Sequence, residues 1–164
     1  KAATIAAAEY EGPVYLRFGR PAVPVFTPAD QKFEIGKGIL MNEGSDVTIV
    51  ATGHLVWESL LAAAELEKEG ISCEVINIHT IKPLDEEIIL NSVKKTGKIV
   101  TAEEHNILGG LGESVARVLA QKLPTKQAFV AVEDKFGESG TPSDLMKKYG
   151  IDSTAVIQKV KSLL

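Results

Sequence analysis

The sequence is poor in the features that would place it in several specialised classes of protein. It has one cysteine, Cys73, so an internal disulfide is excluded, and its apolar surroundings at 71–78 predict a buried free thiol in a reducing compartment. No uninterrupted apolar run reaches ~18 residues, which predicts no membrane-spanning segment. The net charge of −4 argues against nucleic acid as a partner. We therefore expect a cytoplasmic globular protein, in line with its 45% hydrophobic content.

Familiar catalytic and metal-binding patterns are also missing. No Ser or Cys stands in a nucleophile-elbow motif. His54, His79 and His105 fall on three separate predicted loops without metal-ligand spacing, and their convergence on a metal is the less favoured alternative. Glu103 beside His105 is the best local candidate for an acid–base pair. The residues alone therefore favour a binding or assembly domain, with no catalytic, cofactor-binding or metal-ligating residue predicted.

The stretch 98–121 carries the strongest local pattern. An apolar, β-favouring run at 99–102 leads into the polar residues 103–106, three glycines at 109, 110 and 112, and apolar residues at helical spacing. This order predicts a strand, a glycine loop and a helix. Amides at a helix start favour an anion, so the loop is a candidate phosphate cradle.

A turn used for packing or for a subunit interface is the favoured interpretation of this loop. Its glycines lack the spacing of the dinucleotide fingerprint and the Lys of a P-loop, and two acids precede them. Glycines also permit a close approach by a second subunit. We expect a dimer whose interface includes the following residues of this loop: Glu103, His105, Gly109, Gly110 and Gly112.

Strand-like and helix-like segments alternate from residue 47 onwards. Strands are predicted at 47–52, 72–78, 99–102 and 129–132, with helices between them. Candidate helix caps are Asp85, Thr141 and Asp152. The inward face of the first of these helices is predicted to include Val56, Leu60, Ala63, Ala64 and Glu67, widened by Trp57 and Leu61. The alternation predicts a three-layer α/β/α fold with a mostly parallel five-stranded sheet and one antiparallel edge strand near Ile39.

The leading segment has a different character. Residues 1–9 are predicted to be helical and 14–18 to form a strand, and the prolines that follow predict an extended linker at 20–32. One helix and one strand cannot form a core, so we expect this piece to be the tail of something longer. Arg17 and Arg20 flank the end of the predicted strand, where an Arg can clamp a substrate phosphate, although a surface salt bridge is the commoner role.

Four blocks of the sequence together resemble the C-terminal domain of the transketolase family. They are VTIVATG (47–53), NIHTIKPLD (77–85), TAEEHNILGGLG (101–112) and VEDKFGESGTPSDLMKKYGI (132–151). The resemblance implies three parts: residues 1–19 as the end of the pyrimidine-binding domain, 20–32 as a proline-rich linker, and 33–164 as the C-terminal α/β domain. The blocks are also similar to deoxyxylulose-phosphate synthase and to the β subunit of 2-oxoacid dehydrogenases.

The resemblance also implies an activity. Transketolases use thiamine diphosphate and Mg to transfer a two-carbon ketol unit between sugar phosphates, and the cofactor supplies that chemistry. In the family both groups are bound by other domains, so this chain is expected to serve dimer assembly and support, with itself or an N-terminal transketolase subunit as partner. Arg20 matches the family's sugar-phosphate-binding Arg by position, although Gly19 replaces the usual Ser before it. A stand-alone anion-binding or regulatory module is the alternative from another class.

Overall fold

A five-stranded sheet runs through the computed structural model, which describes residues 1–19 and 23–164. Its strands are β1 (Ile39–Asn42), β2 (Val47–Ala51), β3 (Cys73–Asn77), β4 (Lys98–Asn106) and β5 (Lys126–Val132). They lie side by side in the order β1-β3-β2-β4-β5. Strand β1 is antiparallel to β3, and all other neighbours are parallel. The predicted mostly parallel sheet with one antiparallel edge strand is confirmed.

Helices cover both faces of this sheet. The helices of the described residues are α1 (Ala2–Glu9), α2 (Leu55–Glu67), α3 (Glu86–Thr96), α4 (Leu111–Lys122), α5 (Pro142–Tyr149) and α6 (Ser153–Lys161). Helices α2 and α6 pack against each other and the sheet, while α3 and α4 form another packed pair. The predicted three-layer arrangement follows from this placement. Within the described ranges, no helix combines the length and the hydropathy needed to cross a bilayer.

The central strand β2 contributes to two separate hydrophobic clusters. Val47 and Ile49 belong to the cluster beneath α2 and α6, whereas Val50 belongs to the cluster beneath α3 and α4. Alternate residues of a strand point to opposite faces, so a strand covered on both faces must be apolar throughout. Every residue of β2 is buried. Each fully buried Val or Ile stabilises the fold by about 1.5–3 kcal/mol relative to an exposed one.

The predicted helix caps are confirmed. The side chains of Asp85, Thr141 and Asp152 accept hydrogen bonds from backbone amides in the first turns of α3, α5 and α6. Each bond satisfies an amide that has no partner within the helix. Gly97 and Gly150 follow α3 and α5 with φ values of 69° and 63°, a left-handed conformation that glycine adopts without steric cost.

The inward face of α2 differs from the prediction. Leu60 is half-buried, and Leu61 and Ala64 are exposed. The buried face consists of Leu55, Val56, Ser59, Ala62, Ala63 and Leu66. The helix is apolar over most of its circumference, so its sequence defines the orientation weakly. Packing between the sheet and α6 decides which side turns inward.

The leading segment also departs in part from the prediction. Helix α1 is confirmed, but none of its residues is buried. The strand predicted at 14–18 is wrong, because that segment has no regular secondary structure. Tyr15 and Phe18 are 89% and 83% exposed. A strand needs neighbouring strands for its hydrogen bonds, and none lies beside this segment among the described residues.

Two strands are longer than predicted. Strand β4 continues through Asn106 instead of ending at Ala102, and β5 begins at Lys126 instead of Phe129. After an irregularity in β4, Asn106 pairs with Val132 of β5. The polar residues assigned to a loop therefore remain in the sheet. This extension determines where the acidic and histidine side chains of the candidate site point.

Candidate functional site

Most of the predicted site residues gather at the carboxyl ends of the parallel strands. This edge is where ligands bind in open α/β sheets. His54 follows β2, His79 follows β3, and Asp134 follows β5. Glu103 to Asn106 form the end of β4. The structure therefore brings these polar residues together at one edge of the sheet.

The Glu103 carboxylate occupies the start of α4. Its two oxygens accept hydrogen bonds from the amides of Leu111 and Gly112, at 2.7 and 2.8 Å. The Glu103 residue is only 3% exposed. A carboxylate is favoured at this position because the helix dipole and the unpaired amides both attract a negative charge.

The proposed anion cradle is thereby filled from within the chain. The amide of Gly109 is also engaged, because it donates to the Glu113 carboxylate at 2.8 Å. An added phosphate would have to displace Glu103 and bring more negative charge beside it. The alternative of an anion-binding module at the glycine loop is therefore wrong for these amides.

Two of the loop glycines make room for neighbours in the same chain. A Cβ atom at Gly110 would lie 2.1 Å from Glu103 Oε2, and one at Gly112 would lie 2.5 Å from Phe129 Cδ1. Both distances are far below van der Waals contact, so these positions require glycine. Glu103, Gly110 and Gly112 are buried within the chain, while His105 and Gly109 are exposed. The dimer interface predicted for all five residues stays a prediction.

The expected Glu103–His105 acid–base pair is not formed as such. His105 Nδ1 lies 4.0 Å from Glu103 Oε2 and 2.7 Å from the backbone oxygen of Asn106. Because the oxygens of Glu103 already accept two backbone hydrogen bonds, this carboxylate is poorly placed to take a proton from His105. The structure assigns Glu103 a role in holding the loop.

A different pair, His54 and Glu104, is formed instead. His54 Nδ1 lies 3.0 Å from Glu104 Oε2, and the His54 side chain is 20% exposed. Strands β2 and β4 are neighbours with Ala51 opposite Ala102. This register brings His54, three residues after Ala51, beside Glu104, two residues after Ala102. The pairing could not be predicted from the sequence because the register between β2 and β4 is not visible there.

The third histidine lies apart. His79 Nδ1 is 2.8 Å from Thr80 Oγ1, and its ring stacks on Phe33 with centroids 4.1 Å apart. Burial lowers the pKa of the His79 imidazole, which favours its neutral form. Across residues 1–19 and 23–164, no three His, Cys, Asp or Glu side chains form a group able to hold a metal ion.

A cleft of about 440 Å³ opens beside the His54–Glu104 pair. His54, Glu104 and His105 line one side, and Lys135 and Tyr149 line another part. The Tyr149 hydroxyl donates to the backbone oxygen of Phe136 at 2.8 Å. This lining offers a histidine–carboxylate pair and an ammonium group, which can bind and orient polar groups.

The predicted phosphate-binding residue cannot be placed on this edge. Arg20 lies outside the described residues, and Arg17, the alternative, is exposed. Gly19, which precedes Arg20 in the sequence, lies against the His54 ring. The chain leading to Arg20 therefore reaches the same strand edge as the His54–Glu104 pair.

The fold and this edge define an α/β domain with a mostly parallel five-stranded sheet and polar side chains at the carboxyl ends of its strands. Its own carboxylate fills the helix start where a phosphate would bind, and its histidines do not converge. A family model described as the C-terminal domain of transketolase matches residues 36–156. The chain belongs to this family.

Individual relatives agree with this assignment. The chain is 46% identical over 150 residues to a 6-deoxy-6-sulfo-D-fructose transketolase subunit of Clostridium sp., covering 91% of this chain and 46% of that protein. It is 42% identical over 156 residues to a putative transketolase C-terminal section of Methanocaldococcus jannaschii, covering 93% and 48%. The chain thus spans about half the length of these relatives.

A solved structure shares the fold almost throughout. It is a split-gene transketolase described as an inactive β4 tetramer, with a TM-score of 0.96 and 46% sequence identity. The match covers 99% of this chain and 54% of the other. This match includes the leading segment, so the structural similarity extends beyond residues 36–156 that the family model matches.

Proposed function

We propose that this chain is the C-terminal part of a thiamine-diphosphate-dependent transketolase, which transfers a two-carbon ketol unit between sugar phosphates. Within that enzyme the chain serves assembly and structural support and is not catalytically complete. The observation that carries the proposal is the near-complete structural match to half of a split-gene transketolase chain. The transketolase names of the two relatives above favour this activity over that of deoxyxylulose-phosphate synthase.

We place thiamine diphosphate and Mg on polypeptide outside this chain. The described residues do not fit either group, because the start of α4 is filled by Glu103 and no metal-binding cluster is formed among them. No catalytic step is assigned to residues of this chain. The proposed location is the cytoplasm, which is consistent with the buried free thiol of Cys73.

The proposed domain division is 1–19 for the end of the pyrimidine-binding domain, 20–32 for the linker and 33–164 for the C-terminal domain. Exposed apolar side chains in the leading piece support it, among them Tyr15 and Phe18, which are 89% and 83% exposed. Apolar side chains concentrated on one segment indicate a surface that another domain covers.

The partner in this proposal is a second copy or an N-terminal transketolase subunit. The proposed contact is the loop that carries Glu103, Gly109, Gly110 and Gly112, with His105 beside it. Only Gly109 and His105 of this set are exposed, so they are the residues that a partner would touch. A purely monomeric chain in light scattering at high concentration, with and without the N-terminal subunit, would contradict this part of the proposal.

Isothermal titration calorimetry tests the division of labour. The 164-residue chain is titrated with thiamine diphosphate and Mg, with the complete enzyme as the positive control. We expect no binding and no ketol transfer by the chain alone. Tight cofactor binding to the isolated chain would overturn the proposal.

Substrate kinetics of the complete enzyme test the proposed role of Arg20 in binding the sugar phosphate. We expect Arg20→Ala to raise the KM of a phosphorylated sugar by about tenfold or more, because a charge-assisted contact is lost. The KM of an unphosphorylated sugar should change much less. Arg17→Ala is the matched control, and a larger effect of that variant would transfer the role to Arg17.

A further inference from the structure

The segment 33–38, which precedes β1, is held against the loop that follows β3 by two contacts. The Phe33 ring stacks on the His79 ring, with centroids 4.1 Å apart and an interplanar angle of 30°. The Gly38 amide donates a hydrogen bond to Asp85 Oδ2 at 2.9 Å. The aromatic stack therefore holds one end of the segment, and the hydrogen bond holds the other.

The two ring nitrogens of His79 have different surroundings. Nδ1 lies 2.8 Å from Thr80 Oγ1, whereas Nε2 is buried and has no hydrogen-bond partner among the described residues. A buried N–H group without an acceptor is rare in folded proteins, because it loses its hydrogen bond to water. The neutral ring should therefore carry its proton on Nδ1 and donate it to Thr80, which leaves a lone pair on Nε2.

We propose that Phe33 and His79 form an acid-sensitive clasp, in which a proton taken from solvent by His79 Nε2 breaks the aromatic stack and releases residues 33–37. The added proton would give this buried nitrogen an N–H group and the ring a positive charge, with no acceptor beside it among the described residues. The ring reaches an acceptor by turning toward water, and this movement separates it from Phe33. The bond between Gly38 and Asp85 limits the release to the part of the segment before it. The clasp does not depend on the proposed activity of the chain.

Within the described part of the chain, no carboxylate is placed to stabilise a protonated His79. The charged and titratable side chains on the elements next to it in the chain and in the sheet are Lys32, Glu34, Lys37, Lys82, Asp85, Glu86 and Glu87, together with His54 and Glu104. Asp85 accepts two backbone hydrogen bonds, and the Glu104 carboxylate contacts His54. Across residues 1–19 and 23–164, carboxylates lie within ion-pair distance of His54 and His105 but not of His79.

The burial of the ring also lowers the pKa of His79 from its ordinary value of 6.5, in agreement with this geometry. In the open form the imidazole faces water and regains its ordinary pKa, so the open form binds more protons than the clasped form. The advantage of the clasped form is complete well above pH 6.5 and falls as the pH drops below this value. The clasp should therefore hold at neutral pH and open in mild acid.

An attraction between an imidazolium and the face of Phe33 would act in the opposite direction. A cation over an aromatic ring is attracted by the ring quadrupole, which would raise the pKa of His79 and tighten the stack in acid. This attraction is weaker than the cost of a buried charge without a hydrogen-bond acceptor. The two possibilities predict pKa changes of opposite sign when the Phe33 ring is removed.

Nuclear magnetic resonance on the 164-residue chain, titrated from about pH 8 to about pH 5, follows the clasp directly. At the upper end we expect ring nitrogen shifts typical of a proton on Nδ1, and a nuclear Overhauser effect between the Phe33 and His79 rings. The Overhauser effect should disappear with the same midpoint as the titration of His79. Titration of His79 with an unchanged Overhauser effect would overturn the proposal, as would a neutral ring protonated at Nε2.

Variants of two aromatic residues that precede β1 separate the stack from general effects of truncation. Phe33→Ala removes the clasp, so the pKa of His79 should rise toward its ordinary value. Phe26→Ala is the matched control, because Phe26 stacks on Trp57 instead of a histidine, and it should leave the pKa of His79 unchanged. A fall in that pKa in Phe33→Ala, or no change, would overturn the proposal.

Hydrogen exchange tests whether the segment itself is released. The Lys37 amide donates to the Glu34 backbone oxygen at 3.1 Å within the segment, and the Gly38 amide is the internal reference because its bond to Asp85 stays intact. Between about pH 7.5 and about pH 5.5, after correction for the intrinsic exchange rate, the opening constant at Lys37 should rise by up to about tenfold for each pH unit by which the pKa of His79 is lowered.

His79→Phe is the control for this measurement. It keeps an aromatic ring against Phe33 but cannot take a proton, so opening at Lys37 should not depend on pH in this variant. Preserved protection of the Gly38 amide shows that the variant is folded. Equal acid-induced opening at Lys37 in both proteins would trace the release to another group, and an unprotected Lys37 amide at neutral pH would show that the segment is not held. Either result overturns the clasp.

Discussion

Glu103 and Cys73 show how single buried groups depend on their surroundings. Glu103 is charged and buried, yet both carboxylate oxygens accept backbone hydrogen bonds at the start of α4. Cys73 is buried without a hydrogen-bonding role in the site, and burial raises the pKa of its thiol to about 11, with the nearby charges of Asp46 and Glu67 adding to the effect. The two backbone hydrogen bonds compensate for the burial of Glu103, whereas the burial of Cys73 stabilises its neutral thiol.

Removal of the Glu103 carboxylate is expected to destabilise the fold. Glu103→Ala leaves the buried amides of Leu111 and Gly112 without partners, so the free energy of unfolding should fall by about 2–4 kcal/mol. Glu113→Ala is the matched control, because its carboxylate accepts from the exposed amide of Gly109 and water can replace it. Urea unfolding measures both variants. Equal losses would show that burial of Glu103 is not what makes its hydrogen bonds important.

The Cys73 thiol should make stability depend on pH above 9. Its pKa is raised from 9.0 to about 11 in the folded chain, so the folded state binds more protons and stability falls as the pH rises through this window. Relative to Cys73→Ala, the wild type should lose about 1–3 kcal/mol of unfolding free energy between pH 8.5 and 11. Guanidinium unfolding of both proteins at several pH values measures this difference. A constant difference would contradict the raised pKa.

A single capping side chain can connect a helix to the segment before a strand, as Asp85 does. Asp85 caps α3 through a hydrogen bond from the Ile88 amide at 3.3 Å, and its other oxygen accepts from the Gly38 amide at 2.9 Å, just before β1. Asp152 caps α6 through the Ala155 amide alone. Both residues are aspartates at a helix N-cap, but Asp85 accepts two backbone hydrogen bonds and connects two elements, whereas Asp152 accepts one.

Loss of Asp85 should cost more stability than loss of Asp152. Asp152→Ala removes an ordinary cap, with an expected loss of about 1 kcal/mol. Asp85→Ala removes a cap and the attachment of the segment before β1, with an expected loss of about 2–3 kcal/mol. Thermal unfolding of the two variants gives the comparison. A larger loss for Asp152→Ala would show that the contact with Gly38 contributes nothing.

The described chain divides into a well-packed part and a part that packs on almost nothing. Two hydrophobic clusters lie on the two faces of the sheet, and all their buried residues lie at position 47 or later, although Phe26 and Met41 pack against one of them as partly buried residues. Helix α1 contributes no buried residue. The leading piece therefore adds little to the stability of the isolated chain, and its apolar side chains are available to another domain.

A chain that begins at Val23 should be nearly as stable as the 164-residue chain. Since α1 buries nothing, deletion of residues 1–22 is expected to change the free energy of unfolding by less than about 1 kcal/mol. Phe26→Ala in the shortened chain should cost more, because it removes the stack on Trp57. Denaturant unfolding and hydrogen exchange of the α1 amides measure these effects. Slow exchange in α1 would reveal packing of the leading helix.

The order and type of most helices and strands could be predicted from local patterns in the sequence. Continuous apolar runs mark buried strands, glycines in left-handed turns end helices, and capping side chains act within a few residues of themselves. Such signals involve only neighbouring residues, so they can be recognised in the sequence without knowledge of the fold. The family assignment depends on the same kind of information, because its motifs are strings of neighbouring residues.

Which side chains contact one another depends on the folded chain and could not be predicted from local patterns. The partner of His54 is Glu104 because β2 and β4 pair in parallel up to Ala51 opposite Ala102. The Glu103 carboxylate turns inward to the start of α4. The inward side of α2 and the lack of a strand at 14–18 were decided in the same way. Each of these outcomes is set by contacts between residues far apart in the chain, and a local pattern carries no information about such contacts.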